Sequence, residues 1–371
     1  MSASPSTVRE SPVRYEPSME VPEPGEAETQ VELNETLSKI REKTYADGGH
    51  ALRSVHAKSH GLLRGEIQIL SGLPPQLAQG LFARPGTYGL VMRLSTTPGD
   101  ILDDSVSTPR GMAIKIVGVE GERLSVSEGD ATQDFVLING PVFLKKEGKA
   151  FLKSLKLLAV TTDQAPGLKK VMSAALRGAE SVIEKLGGES PTLIGLGGHP
   201  ETHPLGDTYY TATPLLYGEY MAKLSVAPVS PELTALTKKT LNVNGKPNGL
   251  REGVIDFFAQ YGGEWELRAQ LCTNLKSMPI EDSTVQWPEH QSPYVTVARI
   301  VVPPQQGWSE ARSKVVDEGY SFSPWHALAA HRPLGSINRL RRLAYEKSRQ
   351  FRARHTGRPT DEPRTLERLP D

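Results

Sequence analysis

A single cysteine, Cys272, in a chain of 371 residues excludes an intramolecular disulfide and any thiolate-held metal cluster. Such cysteine usage fits a reducing compartment. No apolar run approaches the ~18 residues needed to cross a bilayer, and the first thirty residues lack the basic start and apolar stretch of a secretion signal. Net charge is also missing, because 43 Lys and Arg are balanced by 43 Asp and Glu. Without a long-range field to recruit phosphate backbones or acidic lipid, a dedicated nucleic-acid or membrane-surface binder is disfavoured. Repeats at solenoid spacing are absent as well. The expectation is a soluble, cytoplasmic protein that handles small molecules.

Residues 1–34 hold five prolines and seven glutamates with almost no aliphatic periodicity, a composition that buries too little apolar surface to offset the entropy of ordering. They read as an N-terminal arm, either disordered or extended across a partner subunit in a homo-oligomer. Runs with strand character follow at 62–70, 87–97, 111–119 and 134–139, and return at 208–216, 220–227, 263–271 and 294–303. Between the two groups, 144–187 has apolar residues three and four apart and reads as helical. From Trp308 the pattern is helical again, ending in 334–355 and a polar tail. Strands with helices inserted and appended indicate an α+β fold built on a barrel or strongly curved antiparallel sheet. The expected division is an arm over 1–34, a β-barrel domain with inserted helices over 35–305, and a C-terminal helical segment over 306–371.

Four segments carry residues suited to chemistry. In the C-terminal helix, at 100° per residue, Arg341, Tyr345, Arg349 and Arg352 fall within one arc of about 80°. That is either a solvated basic face or a phenol beside guanidinium groups. An arginine one turn away favours the phenolate, a strong ligand for ferric iron. The second segment is Arg53-Ser-Val-His56-Ala-Lys-Ser-His60, in which His60 reads as a loop or packing histidine and His56 decides nothing alone. In the third, strand alternation puts Arg93 and Ser95 on one face, and an inward arginine requires an internal carboxylate or a bound acid. The fourth, Asp134 to Phe143, ends an apolar strand at Ile138 and Asn139, where an amide either caps a turn or enters a cavity.

In this order and with these intervals the segments resemble the haem-dependent catalase family. The matching stretches are RSVHAKSHGLLRGE, RLSTTPGD with STPRGMAIKI, DFVLINGPVF, MPIEDSTVQWPEHQSPYVTVARIVVP and RRLAY, whose Arg341 and Tyr345 fit an Arg-x-x-x-Tyr pattern. The resemblance runs from about residue 52 to 355 and is nearest to the compact catalase-like branch, which includes catalase-related peroxidases. It implies an eight-stranded antiparallel β-barrel with inserted and C-terminal helices, and a buried haem b whose iron is held by Tyr345.

The resemblance further implies that Arg341 keeps the phenol ionised. His56 would act as general base and then general acid toward hydrogen peroxide or an organic hydroperoxide, leaving a ferryl haem. Ser95 would orient the imidazole. Arg53, Arg93 and Arg352 would pair with haem propionates, Val55 would narrow the pocket, and Phe143 and Phe151 would line the porphyrin. The family's distal asparagine aligns with Ile138, with Asn139 one residue later. Strand neighbours point to opposite sides, so only one of them faces the iron without a bulge, and Asn139 is the expected one.

The implied activity is that of a hydroperoxidase, with a second peroxide or an organic reductant completing the cycle. Fatty-acid hydroperoxide isomerisation, in the manner of an allene oxide synthase, and haem binding as a sensor without turnover are the alternatives. A dehydrogenase built on Gly195, Gly197 and Gly198 is opposed by Pro200 and Pro204, which fall where its phosphate-binding helix should begin. The same prolines make His199 and His203 a surface loop rather than a metal pair.

Overall fold

The computed structural model describes residues 11–99, 101–106, 108–161, 201–357, 360 and 362–370. Strands β1 (Ser59–Ile69), β2 (Gly86–Thr96), β3 (Arg110–Val117) and β4 (Thr132–Ile138) pair in succession, each antiparallel to the last. The two-residue β5 (Tyr209–Tyr210) joins β4 through Tyr210 and Ile138. It joins β7 (Tyr220–Pro228) through Tyr210 and Ser225. From β7 the sheet continues through β8 (Gly263–Leu271) and β9 (Val295–Val302) back to β1, closing an eight-stranded antiparallel barrel. β6 (Leu215–Tyr217) is a hairpin partner of β7 outside the ring. Sequence patterning predicts one strand at 208–216. The chain splits it because Ala212 takes a left-handed φ of 59° and Pro214 has no N–H to donate to a ladder.

Alternate side chains of these strands fill the barrel. Leu63, Ile67, Met92, Leu94, Ile114 and Phe135 point inward with Trp265 and Ile300. The outward residues of β1 to β4 are also apolar over part of their length. Leu62, Val91 and Val117 pack under Val316, Tyr320 and Phe322 and under Leu366 and Leu369 of the C-terminal tail. A second layer therefore covers this side of the barrel.

The helical segments are α1 (Glu26–Gly48), α2 (Gly148–Thr161), α3 (Pro231–Thr234), α4 (Gly249–Phe258), α5 (Glu310–Ser313) and α6 (Ser336–Thr356). α5 runs into a π-helical turn over Lys314–Gly319. Residues 26–34, read from composition as the end of an arm, form the first turns of α1. Their stripe of Leu33, Leu37 and Ile40 packs on Leu152 and Leu155 of α2 and on Leu340 and Ala344 of α6. Glutamates on the remaining faces dilute that stripe in sequence, and it acquires value only against partner helices. Residues 11–24 lie along their own chain, with the Val13 and Tyr15 amides donating to the Cys272 and Glu219 carbonyls. This strap fixes the start of α6. Glu20 accepts from the Gly335 amide, Glu281 from the Ser336 amide, and Arg339 is held by Glu20, Glu26 and Glu281 together.

Of the helical run expected at 144–187, residues 144–147 are not helical, 148–161 form α2, and the rest lies outside the described residues, as do Gly195, Gly197, Gly198 and His199. His203 is described and is not on the surface. It is buried, with Nε2 3.2 Å from the Gly253 carbonyl and Nδ1 accepting the Leu205 amide. Among the described residues no helix is long and apolar enough to cross a membrane.

Candidate active site

His56 sits in the turn that enters β1 and has a left-handed φ of 54°, a conformation that a non-glycine residue adopts only when its surroundings impose it. Two backbone contacts do so. Its amide donates to the Thr97 carbonyl at 2.7 Å, and its carbonyl accepts from Arg93 Nη2 at 2.8 Å. The ring is thereby swung over the barrel wall, where Nδ1 lies 3.0 Å from Ser95 Oγ. Burial, followed by the charges of Arg93, Arg341 and Arg53, lowers the His56 pKa to about 3. The imidazole is neutral at ordinary pH and can accept a proton.

The wall beneath it is a single cross-strand row. Ser95 of β2 faces Gly111 of β3, and Gly111 faces Ile138 of β4. Directly opposed residues share a sheet face, so Ile138 and Ser95 lie on the side that carries His56. Asn139 is committed elsewhere. Its Oδ1 accepts the Arg110 amide at 2.9 Å, and its Nδ2 donates to Asp207 at 3.2 Å. Asn139, expected in the pocket, is bonded at the strand end, and Ile138 is the residue in the row with Ser95 and Gly111.

Arg53 and Arg93 converge on a residue that sequence reasoning missed, with Arg352 within its electrostatic reach. Asp317, in the π-helical turn, accepts from Arg93 Nε at 2.7 Å and Arg53 Nη1 at 3.2 Å, with the Ser59 and Ser313 hydroxyls each 2.7 Å from its second oxygen. It is the internal carboxylate that an inward Arg93 demanded. Burial pushes its carboxyl upward, but Arg93 and Arg53 outweigh this and hold it at about 2. Arg352 donates to the Tyr320 carbonyl and its buried Nε has no partner. Burial, then the Arg93 charge, lowers its pKa to about 10.

α6 brings the remaining groups. Arg341 donates to Asn338 Oδ1 at 3.3 Å, and its guanidinium lies 5.5 Å from the Phe143 ring. Phe143 in turn meets Phe151 edge to face at 5.3 Å, and Phe151 and Val55 pack on the α1–α2–α6 cluster. Tyr345 acts electrostatically on Arg53, and both Arg53 and Arg341 act on His56. Arg53 thus lies within electrostatic reach of both the phenol and the imidazole. Tyr345 also borders an open cavity of about 1010 Å³, lined in part by Trp325, His326 and Arg342. Arg349, expected on the same helical arc, pairs with Glu346 instead.

Three solved structures that share this architecture are catalases. A fungal catalase solved at 1.9 Å superposes with a TM-score of 0.59 at 18% identity, covering 85% of this chain and 62% of that one. Catalase A from Saccharomyces cerevisiae gives 0.57 at 15% identity, covering 83% and 62%. A bacterial catalase gives 0.57 at 16%, covering 87% and 63%. The fold is catalase-like. The chain spans less than two thirds of the length of these neighbours. No family model matches it, and no curated protein matches its sequence.

The donor set fits the haem b that the motifs imply. Two guanidinium groups on one carboxylate, with the Arg352 Nε unpartnered in the interior, leave positive charge for an anionic ligand. Tyr345 supplies a phenol with Arg341 one helical turn before it, and Gly111 leaves the wall bare below His56.

A second buried polar group, Asp134, His326 and Glu362, has ligand atoms within 4.8 Å of one another. It is already neutralised from within. The Lys115 ammonium bonds Asp134 at 2.7 Å and also bonds Glu362. Burial lowers His326, but the Asp134 and Glu362 carboxylates, 3.3 and 3.1 Å from Nδ1, prevail and raise it to about 9. Two cations facing two carboxylates make this a clasp that ties the C-terminal tail to the barrel.

Proposed function

We propose that the chain is a haem-dependent hydroperoxidase that cleaves hydrogen peroxide or an organic hydroperoxide. The observation that carries the reading is the His56 imidazole, seated on Gly111 beside Ser95 and within electrostatic reach of Arg53 and Arg341, with Tyr345 in turn within reach of Arg53. When bound, a ferric haem would supply the electrons for breaking the peroxide O–O bond. Tyr345 would hold its iron and Arg341 would favour the ionised phenol. Arg53, Arg93 and Arg352 would bind the haem carboxylates.

His56 would take the proton from the hydroperoxide oxygen and return it to the departing oxygen, so that water or an alcohol leaves. The contact of Nδ1 with Ser95 reserves Nε2 for that transfer. Ile138 supplies no hydrogen bond to a peroxide. An alkyl substituent, by contrast, packs against it without desolvation cost, which favours organic hydroperoxides over hydrogen peroxide.

Reconstitution with hemin tests the reading. The loaded protein should show a tyrosinate-haem spectrum and should oxidise an organic donor with cumene hydroperoxide. His56→Ala should retain the spectrum and lose that reaction. A wild-type protein that consumes neither cumene hydroperoxide nor hydrogen peroxide would overturn it.

A further inference from the structure

Asp317 belongs to none of the motifs, yet four segments of the chain meet on it. Arg53 donates from Nη1 to the Asp317 carbonyl at 2.7 Å and to Oδ1 at 3.2 Å, and from Nη2 to the carbonyls of Val316 and Tyr320, which fixes the π-helical turn. The Ser59 and Ser313 hydroxyls, each 2.7 Å from Oδ2, hold the other edge of the carboxylate, and Ser59 Oγ is itself held by the Trp308 indole N–H at 2.9 Å. Oδ1 is thereby presented as a fixed acceptor to Arg93 Nε, 2.7 Å away.

Arg93 passes that position on. It is buried, and its guanidinium is a rigid planar fork, so bonding Nε to Asp317 aims Nη2. That nitrogen donates to the His56 carbonyl at 2.8 Å and to the Ala57 carbonyl at 3.2 Å. Those carbonyls belong to the turn in which His56 holds its φ of 54°. A residue with a Cβ is strained in that region and stays there only while its surroundings over-determine it. The same turn is gripped a second time through Arg53, three residues before His56.

We infer that Asp317 is a positioning residue for His56: through Arg93 it clamps the His56 backbone in the left-handed conformation that seats the imidazole on Gly111 beside Ser95. The inference rests on the haem reading above for the value of that seat in turnover, and on bonds within the chain for the seat itself. Released from the clamp, the turn relaxes toward a right-handed or extended φ, and the ring leaves the wall.

Two measurements test it. The first is nuclear magnetic resonance of haem-free protein labelled at the histidine ring nitrogens, in which the His56 signals are assigned by their loss in His56→Ala. Asp317→Ala should move them by more than it moves those of His203 and His331, which contact the Gly253 and Leu216 carbonyls outside this network. The second is the reaction of hemin-loaded protein with cumene hydroperoxide, with rates taken per bound haem. Asp317→Ala should slow it about 10²-fold, the loss that follows from a small misplacement of a reacting group. In a His56→Ala background the same substitution should cost no more than a few-fold, because a residue that acts only through His56 has nothing left to position. Should Asp317→Ala not fold, Arg93→Lys decides in its place. Its ammonium keeps the charge but offers one nitrogen where the fork uses two, so the same shift and the same non-additivity are expected. His56 signals that stay in place in the folded variant overturn the inference and leave the haem reading intact, as does an equal loss of rate with and without His56. A wild type that fails to bind hemin, or binds it and consumes neither peroxide, overturns the haem reading and this inference together.

Discussion

The His56 ring lies directly on Gly111. A methyl group at that glycine would stand 2.6 Å from Cε1 of the imidazole and 2.7 Å from Nδ1, closer than any carbon contact allows. Gly111→Ala must therefore displace the ring and break its contact with Ser95. Overpacking of this kind costs about 1–3 kcal/mol of stability. Peroxide reactivity of the haem-loaded protein should fall by about 10²–10⁴, the usual contribution of a positioned acid–base group, while hemin affinity stays within a few-fold of wild type. Stopped-flow mixing with cumene hydroperoxide measures the first quantity and Soret titration the second. Unchanged reactivity would show that the histidine does not need its present seat.

Tyr345 and Arg341 are expected to separate in their effects. Tyr345→Phe removes the only atom offered to the iron from α6 in the proposed arrangement, and the tyrosinate charge-transfer band should vanish. Arg341→Gln keeps the oxygen and loses the neighbouring cation, so the band should persist but shift. Visible absorption spectra between pH 5 and 9 would check both. Identical spectra for wild type and Tyr345→Phe would remove Tyr345 from the site.

Ile138 is expected to govern the choice of peroxide. Ile138→Asn places an amide in the row with Ser95 and Gly111. One added hydrogen bond contributes about 0.5–1.5 kcal/mol, so the rate with hydrogen peroxide should rise about three- to tenfold relative to that with cumene hydroperoxide. Parallel rate constants for the two peroxides measure the ratio. A ratio that does not move would mean that the peroxide does not reach this row.

Stability should depend on pH in both directions. Burial, the largest cause in each case, lowers His56 to about 3 and His203 and His331 to about 4, whereas the same groups titrate near 6.5 when unfolded. Below that value the unfolded chain binds more protons than the folded one, so stability declines as the pH falls from 6.5 toward 3. His326 runs the other way. Its pKa is raised to about 9 by Asp134 and Glu362 against burial, so its contribution is complete below 6.5 and is lost as the pH rises through 9. Thermal midpoints recorded from about pH 3 to 10 should pass through a maximum near neutrality, and His326→Gln should flatten the alkaline limb. A midpoint equal at about pH 4 and 7 would contradict the buried neutral histidines.

Much of the fold was legible because a barrel strand advertises itself. Period-two alternation in 87–97 and 111–119 and the β-branched run in 294–303 have no competing reading once turns bound them. α1 was not legible, because its buried stripe is interleaved with glutamates whose composition resembles a disordered segment. The side that Asn139 takes was not legible for a different reason: two adjacent residues at a strand end differ only in which side they face, and that is fixed by the Gly111–Ile138 pairing rather than by either residue. Asp317 was invisible in advance, since Arg93 announced the need for an anion but nothing in a VVDEG stretch more than two hundred positions later identifies which carboxylate answers it.

The sequence by itself determined the alternation of strands and helices, the lack of a disulfide and of net charge, and the residue types able to hold a haem and move a proton. Those properties depend on local chemistry and on spacing along the chain. Tertiary structure alone decided that Ile138 joins the row of Ser95 and Gly111 while Asn139 is bonded at the strand end, that Asp317 gathers Arg53 and Arg93, and that the residues before α1 brace α6. Each of these is a relation between segments far apart in sequence, set by strand register and by charges that find partners only when the barrel has closed.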